Sequence, residues 1–235
     1  SLWPTAEKQF HILKGNLEKQ QDPEEKKGIV GAFCRTFAIS EVITKYLSDV
    51  YIPTIGDRYT YTKGTAASGM IVYDDKFAFS HHGTDPTSGI LCNAFDLLRI
   101  HKFGHLDKDN DESSKAKSYA AMVDFARDDK EVKKTIAQEN VASSKYDFAD
   151  PVVAEVMDPS NIDWMTGLEM DGKGKYLSSA TNLNLIFTED VRLKGLFKQN
   201  DFDGKKYICR TTPWRKIKKP EPIKNVDFSG VRNYL

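Results

Sequence analysis

The sequence predicts an α+β fold in which a small three-stranded antiparallel sheet unit with flanking helices precedes a mainly helical C-terminal module. Two observations predict it. Three short runs of β-type residues are separated by turn-forming residues, and on either side of them apolar residues recur at helical spacing. Hydrophobic residues make up 40% of the 235-residue chain and charged residues 29%, a composition typical of a globular protein with a buried core.

The alternation of helical and polar segments divides the chain into four parts. The first is a lead-in helix with Phe10, Leu13 and Leu17 on one face, followed by a charged linker that contains Pro23. An α+β unit, a helical connector and the C-terminal module come next. In this order, the parts span residues 1–27, 28–105, 106–150 and 151–235.

The β-type runs of the α+β unit lie at residues 58–62, 69–73 and 77–80. A glycine-containing segment separates the first two, and Asp74-Asp75-Lys76 predicts a tight turn between the second and third. Because the connections are short, we expect neighbouring strands to pair antiparallel.

Helices are predicted on both sides of these strands. Ser40 is expected to cap a helix before them, and Asn93 to cap one after them that ends at Gly104. Residues 113–140 show helical spacing in two pieces, and the polar residues 141–150 suggest a flexible joint. In the C-terminal module, helices are predicted near residues 162–168, 180–188 and 227–235, with a turn at 172–174 and a strand at 206–210.

The overall charge and the cysteines limit the classes of protein to consider. Acidic and basic residues number 34 each, so only a local basic patch would indicate nucleic-acid binding. The three cysteines are widely spaced and odd in number, which favours a reducing cytoplasm over a disulfide framework. No apolar run approaches the roughly 20 residues that cross a bilayer, so no membrane partner is expected.

Common catalytic motifs are missing from the sequence. There is no Gly-x-x-x-x-Gly-Lys-Ser/Thr phosphate loop and no strand with an Asp-x-Asp pair, so NTPase and primase motifs are lacking. Asp74-Asp75 and Asp109-Asn110-Asp111 come nearest to a metal-binding pair, but both lie in segments that we interpret as solvated surface. We therefore assign no catalytic residue and expect no cofactor, while the enzymatic status of the chain stays open.

Histidines are concentrated between residues 80 and 105, where four of the five lie beside Cys92. One hypothesis is a zinc site with His81, His82 and Cys92 as first ligands, or a metal-dependent hydrolase that also uses Asp85. The spacing matches no common structural zinc pattern. We therefore favour a structural turn at Asp85-Pro86 in which the two adjacent imidazoles bond to backbone carbonyls.

A basic patch occupies residues 205–224, where aromatic residues are interleaved with lysine and arginine. Such a patch suits single-stranded nucleic acid, because cations contact phosphates and aromatic rings stack on bases. A solvated linker is the alternative, and Trp214 could equally be a buried anchor. The candidate DNA-contacting residues are Lys205, Lys206, Arg210, Trp214, Arg215, Lys216, Lys218 and Lys219.

Several segments in combination resemble one family. They begin with Gly28-Ile-Val-Gly-Ala-Phe-Cys-Arg-Thr-Phe and continue with Phe79-Ser-His-His-Gly-Thr-Asp-Pro, Cys92-Asn-Ala-Phe-Asp-Leu-Leu, Asn182-Leu-Asn-Leu-Ile-Phe and Thr212-Pro-Trp. In order and rough spacing, the first three look like the middle of phage and prophage proteins of the virulence-associated protein E type, and the last two are similar to the lead-in of that family's helicase region. The resemblance covers most of residues 28–235.

This resemblance implies a function in DNA replication, with a pure protein-interaction module that has no DNA role as an alternative. Proteins of that type are similar to primase–helicases, with a primase domain first and a superfamily 3-type helicase motor last. By that map the chain lies between the two, so none of the family's catalytic residues has a position here. The implied partners are DNA, the adjoining primase and helicase domains of the same polypeptide, and further copies assembled through the helicase. Residues 28–105 also resemble, more weakly, a bacterial primase zinc ribbon that has lost most of its ligands.

Overall fold

The computed structural model describes residues 21–107, 117–147, 162–190, 193–209, 211 and 215–224. The chain is α+β, as the sequence predicts, and forms two compact units, residues 1–132 and 133–235. The helices expected at residues 4–20 and 227–235 lie outside the described residues. None of the helices in the described ranges is long and apolar enough to cross a bilayer.

The sheet of the first unit has five strands where the sequence predicts three. The three predicted strands are confirmed, and a short strand is added at each edge. Each strand pairs antiparallel with its neighbour in chain order, and the Asp74-Asp75 turn adopts the expected positive φ angles of 51° and 53°. The edge strands were missed because three residues are too few to show an alternating pattern. The strands are β1 (Tyr51–Pro53), β2 (Arg58–Tyr61), β3 (Met70–Tyr73), β4 (Phe77–Ser80) and β5 (Leu91–Asn93).

The helices of the first unit confirm one predicted cap and correct another. The Asn93 side chain accepts a hydrogen bond of 2.9 Å from the amide of Asp96, so the helix after the strands begins where expected. The earlier helix begins before Ser40, and Glu41 caps it by accepting from the amide of Ala38 at 2.9 Å. The helices are α1 (Gly28–Thr36), α2 (Ile39–Tyr46), α3 (Ala94–Phe103) and α4 (Lys117–Asp128).

One aromatic and aliphatic core holds these elements together. The rings of Phe33 on α1 and Phe95 on α3 meet edge to face at 5.9 Å, and both are fully buried. Met70 on β3 and Leu98 on α3 are also fully buried. The inner face of α3 thus becomes part of the core, which fixes the position of His101 on the same helix.

A long helix, α5 (Lys130–Asp147), contains the boundary between the two units. It extends over most of the segment that the sequence suggests to be a flexible joint, so that expectation was wrong as far as Asp147. The polar composition misled the interpretation, because a helix can be polar over most of its surface and still bury a narrow face. Here that face includes Ala137 and Val141, which pack with Ile162.

The second unit contains both a helix and a sheet. The helix α6 (Ala180–Glu189) agrees with the predicted one, whereas the helix expected near residues 162–168 is a 3₁₀ turn at Asp163–Gly167. Three antiparallel strands, β6 (Phe197–Gln199), β7 (Lys206–Ile208) and β8 (Glu221–Pro222), form a second sheet, so the described part of this module is less helical than expected. Its core consists of Leu168, Ile186, Leu193, Leu196 and Ile208.

Candidate functional site

The turn after β4 is built around the buried carboxylate of Asp85. Its Oδ1 atom accepts hydrogen bonds from the backbone amide of Thr87 at 2.9 Å and from the Thr87 hydroxyl at 2.8 Å. Its Oδ2 atom accepts a 2.7 Å bond from the hydroxyl of Tyr51 on β1. Asp85 therefore shapes its own turn and also ties that turn to the edge of the sheet.

His101 on α3 completes this buried polar cluster. Its Nε2 atom lies 2.7 Å from the Tyr51 hydroxyl oxygen and 3.4 Å from Oδ1 of Asp85. Burial raises the pKa of Tyr51 far above its ordinary value, so the hydroxyl stays protonated. Its one O–H group donates the hydrogen bond to Asp85. His101 must then be the donor to Tyr51.

The charge of Asp85 is stabilised by these contacts. Burial by itself raises the pKa of this carboxyl, but hydrogen bonds from His101 and from the groups beside it outweigh that effect. The pKa of Asp85 consequently lies below its ordinary value. The polar atoms of the cluster thus form hydrogen bonds with one another, as in a structural network, and are not directed toward a ligand.

His82 is buried by different partners. Its Nε2 atom accepts hydrogen bonds from the backbone amides of Tyr61 and Gly69, each at 3.2 Å. The expectation that the adjacent imidazoles bond to carbonyls is therefore wrong for His82, whose Nε2 meets amide N–H groups. A metal ion would need the lone pair that these two amides already use.

His81 and Cys92 lie in different environments, one exposed and one buried. The His81 side chain is exposed and its ring contacts that of Phe79, with centroids 4.8 Å apart. Cys92 is buried in β5, and burial raises the pKa of its thiol to about 12, so it does not provide a thiolate near neutral pH. Across the residues that the structure describes, no three histidine, cysteine or carboxylate side chains are grouped so that they could hold a metal ion.

The predicted basic patch is only partly available on the surface. Arg215 is largely buried, with a side-chain exposure of 14%, and its Nη1 atom lies 3.5 Å from Oε2 of Glu221. Arg210 and Trp214 lie outside the described residues, so the choice between a stacking and an anchoring tryptophan stays a prediction. The exposed members of the predicted set are Lys205, Lys206, Lys216, Lys218 and Lys219.

The sheet of the second unit separates these lysines into two groups. Strand β8 runs antiparallel to β7, and the amide of Ile223 donates to the carbonyl of Lys206 at 3.2 Å. Lys224 is therefore near Lys205 and Lys206, at the end of the sheet where the β6–β7 hairpin turns. Lys216, Lys218 and Lys219 precede β8 and belong to the opposite end.

The hairpin turn also brings in Lys198, which the sequence analysis did not select. Lys198 on β6 pairs with Tyr207 on β7 and is exposed. The sequence Asn200-Asp-Phe-Asp-Gly204 between two short alternating runs is the signal that identifies this hairpin. We define Lys198, Lys205, Lys206 and Lys224 as the hairpin lysines.

No family model, curated protein or solved structure matches the chain. The chemistry of the side chains distinguishes the Asp85 cluster from the hairpin lysines. The polar atoms around Asp85 bond to one another in the interior, whereas the hairpin lysines hold their amino groups in solvent. The first cluster suits a structural role and the second can bind an anion.

Proposed function

We propose that this chain is the non-catalytic connecting and DNA-contacting region of a phage or mobile-element primase–helicase of the virulence-associated protein E type. In that role it contacts DNA through the hairpin lysines while the primase and helicase domains lie on either side in the polypeptide. The observation that carries the DNA contact is that four exposed lysines lie at one end of a three-stranded sheet, where the strand register puts Lys198, Lys205 and Lys224 on one face and Lys206 on the other. The proposal places the protein in the cytoplasm.

The charge of the hairpin lysines is only partly neutralised by neighbours. Lys224 lies 3.3 Å from Oε2 of Glu221, which Arg215 also approaches. Lys198 and Lys206 form no ion pair with another described residue. Amino groups held in this way can replace the counterions of a phosphate backbone, which is the main source of sequence-independent affinity for DNA.

Segments that carry the family resemblance serve the fold in ways that fit a non-catalytic region. In the first unit, the Phe79-to-Pro86 segment supplies His82 and Asp85 to buried hydrogen bonds. In the second, Asn182 is fully buried and bonds to the backbone of Glu169 and Leu177. The Asp85 carboxylate, the Asn182 amide and the Nε2 atom of His82 are occupied by these bonds, so we propose no reaction for them.

DNA binding by the 235-residue chain tests the proposal. Affinity for a labelled oligonucleotide is measured across a range of salt concentrations, for the wild type and for a variant with Lys198→Ala, Lys205→Ala and Lys206→Ala. We expect the negative slope of log affinity against log salt to become shallower by about 2 units in the variant, since each lost contact to a single strand removes about 0.7 from its magnitude. Lys173→Ala with Lys175→Ala is the control, because these exposed lysines belong to the same unit but lie outside its sheet.

Two results would overturn the DNA contact: wild-type affinity that does not depend on salt, or a hairpin variant that behaves like the control. The assignment to a primase–helicase has a separate test. The gene that encodes the full polypeptide is expected to specify a Gly-x-x-x-x-Gly-Lys-Ser/Thr motif downstream of the segment that corresponds to Leu235, and a downstream region without it would contradict the assignment.

A further inference from the structure

The tip of the β6–β7 hairpin presents an aromatic ring to solvent. The side chain of Phe202 is 98% exposed, in a unit whose other described phenylalanines, Phe187 and Phe197, pack against each other and against the core. A phenylalanine on an isolated hairpin tip gains nothing for folding from this position, because none of its apolar surface is removed from water. The ring is therefore accessible to a partner outside the chain.

The loop that carries Phe202 is held by several hydrogen bonds. The Asn200 side chain accepts from the amide of Phe202 at 3.0 Å, while its backbone bonds to Lys205 at 2.9 Å and to Gly204 at 2.8 Å. Asp203 accepts from the amide of Lys205 at 3.0 Å and from the hydroxyl of Tyr207 at 2.9 Å. The backbone below the ring is thus organised in advance, which lowers the entropy cost of binding.

The charges around the ring identify the kind of partner. The hairpin lysines lie along both strands and on the adjoining end of β8, on either side of the loop. Of the two acids in the loop, Asp203 is engaged by the loop's own N–H and by Tyr207, which leaves Asp201 as the outward one. The four hairpin lysines outnumber these two acids, and an aromatic ring beside a net positive charge fits a ligand that alternates flat apolar faces with negative charges.

We propose that Phe202 stacks on an unpaired base of single-stranded DNA while the hairpin lysines contact the neighbouring phosphates. This inference rests on the proposed function and adds the structure of the DNA that the hairpin recognises. Stacking needs a free base face, and in a duplex both faces of each internal base are covered by neighbouring pairs. The hairpin therefore prefers single strands, without a strong preference for sequence, since every base offers such a face.

Fluorescence anisotropy with two labelled single strands of equal length tests this. One carries ordinary bases and the other carries abasic sites, and the duplex of the first serves as a third ligand. We expect Phe202→Ala to weaken binding to the ordinary strand roughly 5- to 150-fold, the range that base–aromatic stacking supports. The same substitution should leave affinity for the abasic strand and the salt slope unchanged, and Phe202→Trp should retain tight binding.

Leu177→Ala provides a matched control, because Leu177 is another exposed apolar residue of the same unit. Its affinities should equal those of the wild type. The inference is overturned if the wild type binds the strand in a salt-dependent manner but Phe202→Ala does not weaken binding, in which case the ring serves a protein partner. It is also overturned if the substitution weakens binding to the abasic strand to the same extent. Absence of salt-dependent binding by the wild type would instead overturn the underlying DNA contact.

Discussion

A methyl group at Gly69 would place its Cβ 2.6 Å from the Nε2 atom of His82, so this glycine and this imidazole fit only in the absence of a side chain. Gly64 approaches the other ring nitrogen, where a Cβ would lie 2.9 Å from Nδ1. The two glycines between β2 and β3 therefore make room for His82, whose Nε2 accepts from the amides of Tyr61 and Gly69. The ring thus accepts from two backbone amides, one at the end of β2 and one just before β3.

Gly69→Ala is expected to destabilise the first unit by about 1–3 kcal/mol, because the new methyl group overlaps a buried ring and displaces it from its two amide donors. Chemical denaturation followed by circular dichroism measures the change. Gly83→Ala is the matched control, since a Cβ at Gly83 meets no atom within 4 Å. Equal stability of the two variants would show that the His82 ring can move aside without cost.

Tyr51→Phe should lower the free energy of unfolding by about 1–3 kcal/mol, because it leaves buried acceptor and donor groups of Asp85 and His101 without their shared partner. The comparison is Tyr119→Phe, which removes a hydroxyl from a side chain that is about half exposed and should change stability by less than about 0.5 kcal/mol. The measurement is the midpoint of urea unfolding. A Tyr51→Phe variant as stable as the wild type would contradict the role assigned to this hydroxyl.

The lowered pKa of Asp85 predicts that the folded protein loses stability in acid. Its pKa is lower in the folded protein than the ordinary value of about 4, so its contribution is fully present above that pH and is lost as the pH falls toward the folded-state pKa. Asp85→Asn is expected to be less stable than the wild type at pH 7, and the difference should narrow as the pH falls below about 4. Unfolding curves collected from pH 7 to pH 3 measure this, and a difference independent of pH would refute it.

Asn182→Asp should destabilise the second unit strongly, by roughly 3 kcal/mol or more, because a buried charge would replace an amide and face backbone carbonyls. The Asn182 amide nitrogen donates to the carbonyls of Glu169 and Leu177 at 2.9 Å and 2.8 Å, and a carboxylate cannot donate there. Asn184→Asp on the exposed side of the same helix is the control for the added charge. Differential scanning calorimetry should show a clear loss of thermal stability for Asn182→Asp alone.

Features that depend on neighbouring residues were predictable from the sequence. The Asn93 cap, the Asp74-Asp75 turn and strands β2 to β4 each involve groups within a few positions of one another, and the structure has all of them. The predicted structural turn at Asp85 also agrees in part, since the carboxylate bonds to Thr87 two residues later. In each case the interacting residues are only a few positions apart, so the residue types that favour the local geometry can be recognised in the sequence.

Contacts between distant residues were decided by the tertiary structure alone. Tyr51 meets Asp85 across 34 positions and His101 across 50, and no local pattern connects them. Lys198 lies near the predicted basic patch only because β6 pairs with β7, and Arg215 is withdrawn from that patch because Glu221 holds it at the sheet. The sequence by itself determined which residues turn, cap and alternate, while the packing of strands and helices determined which polar groups satisfy one another and which stay in solvent.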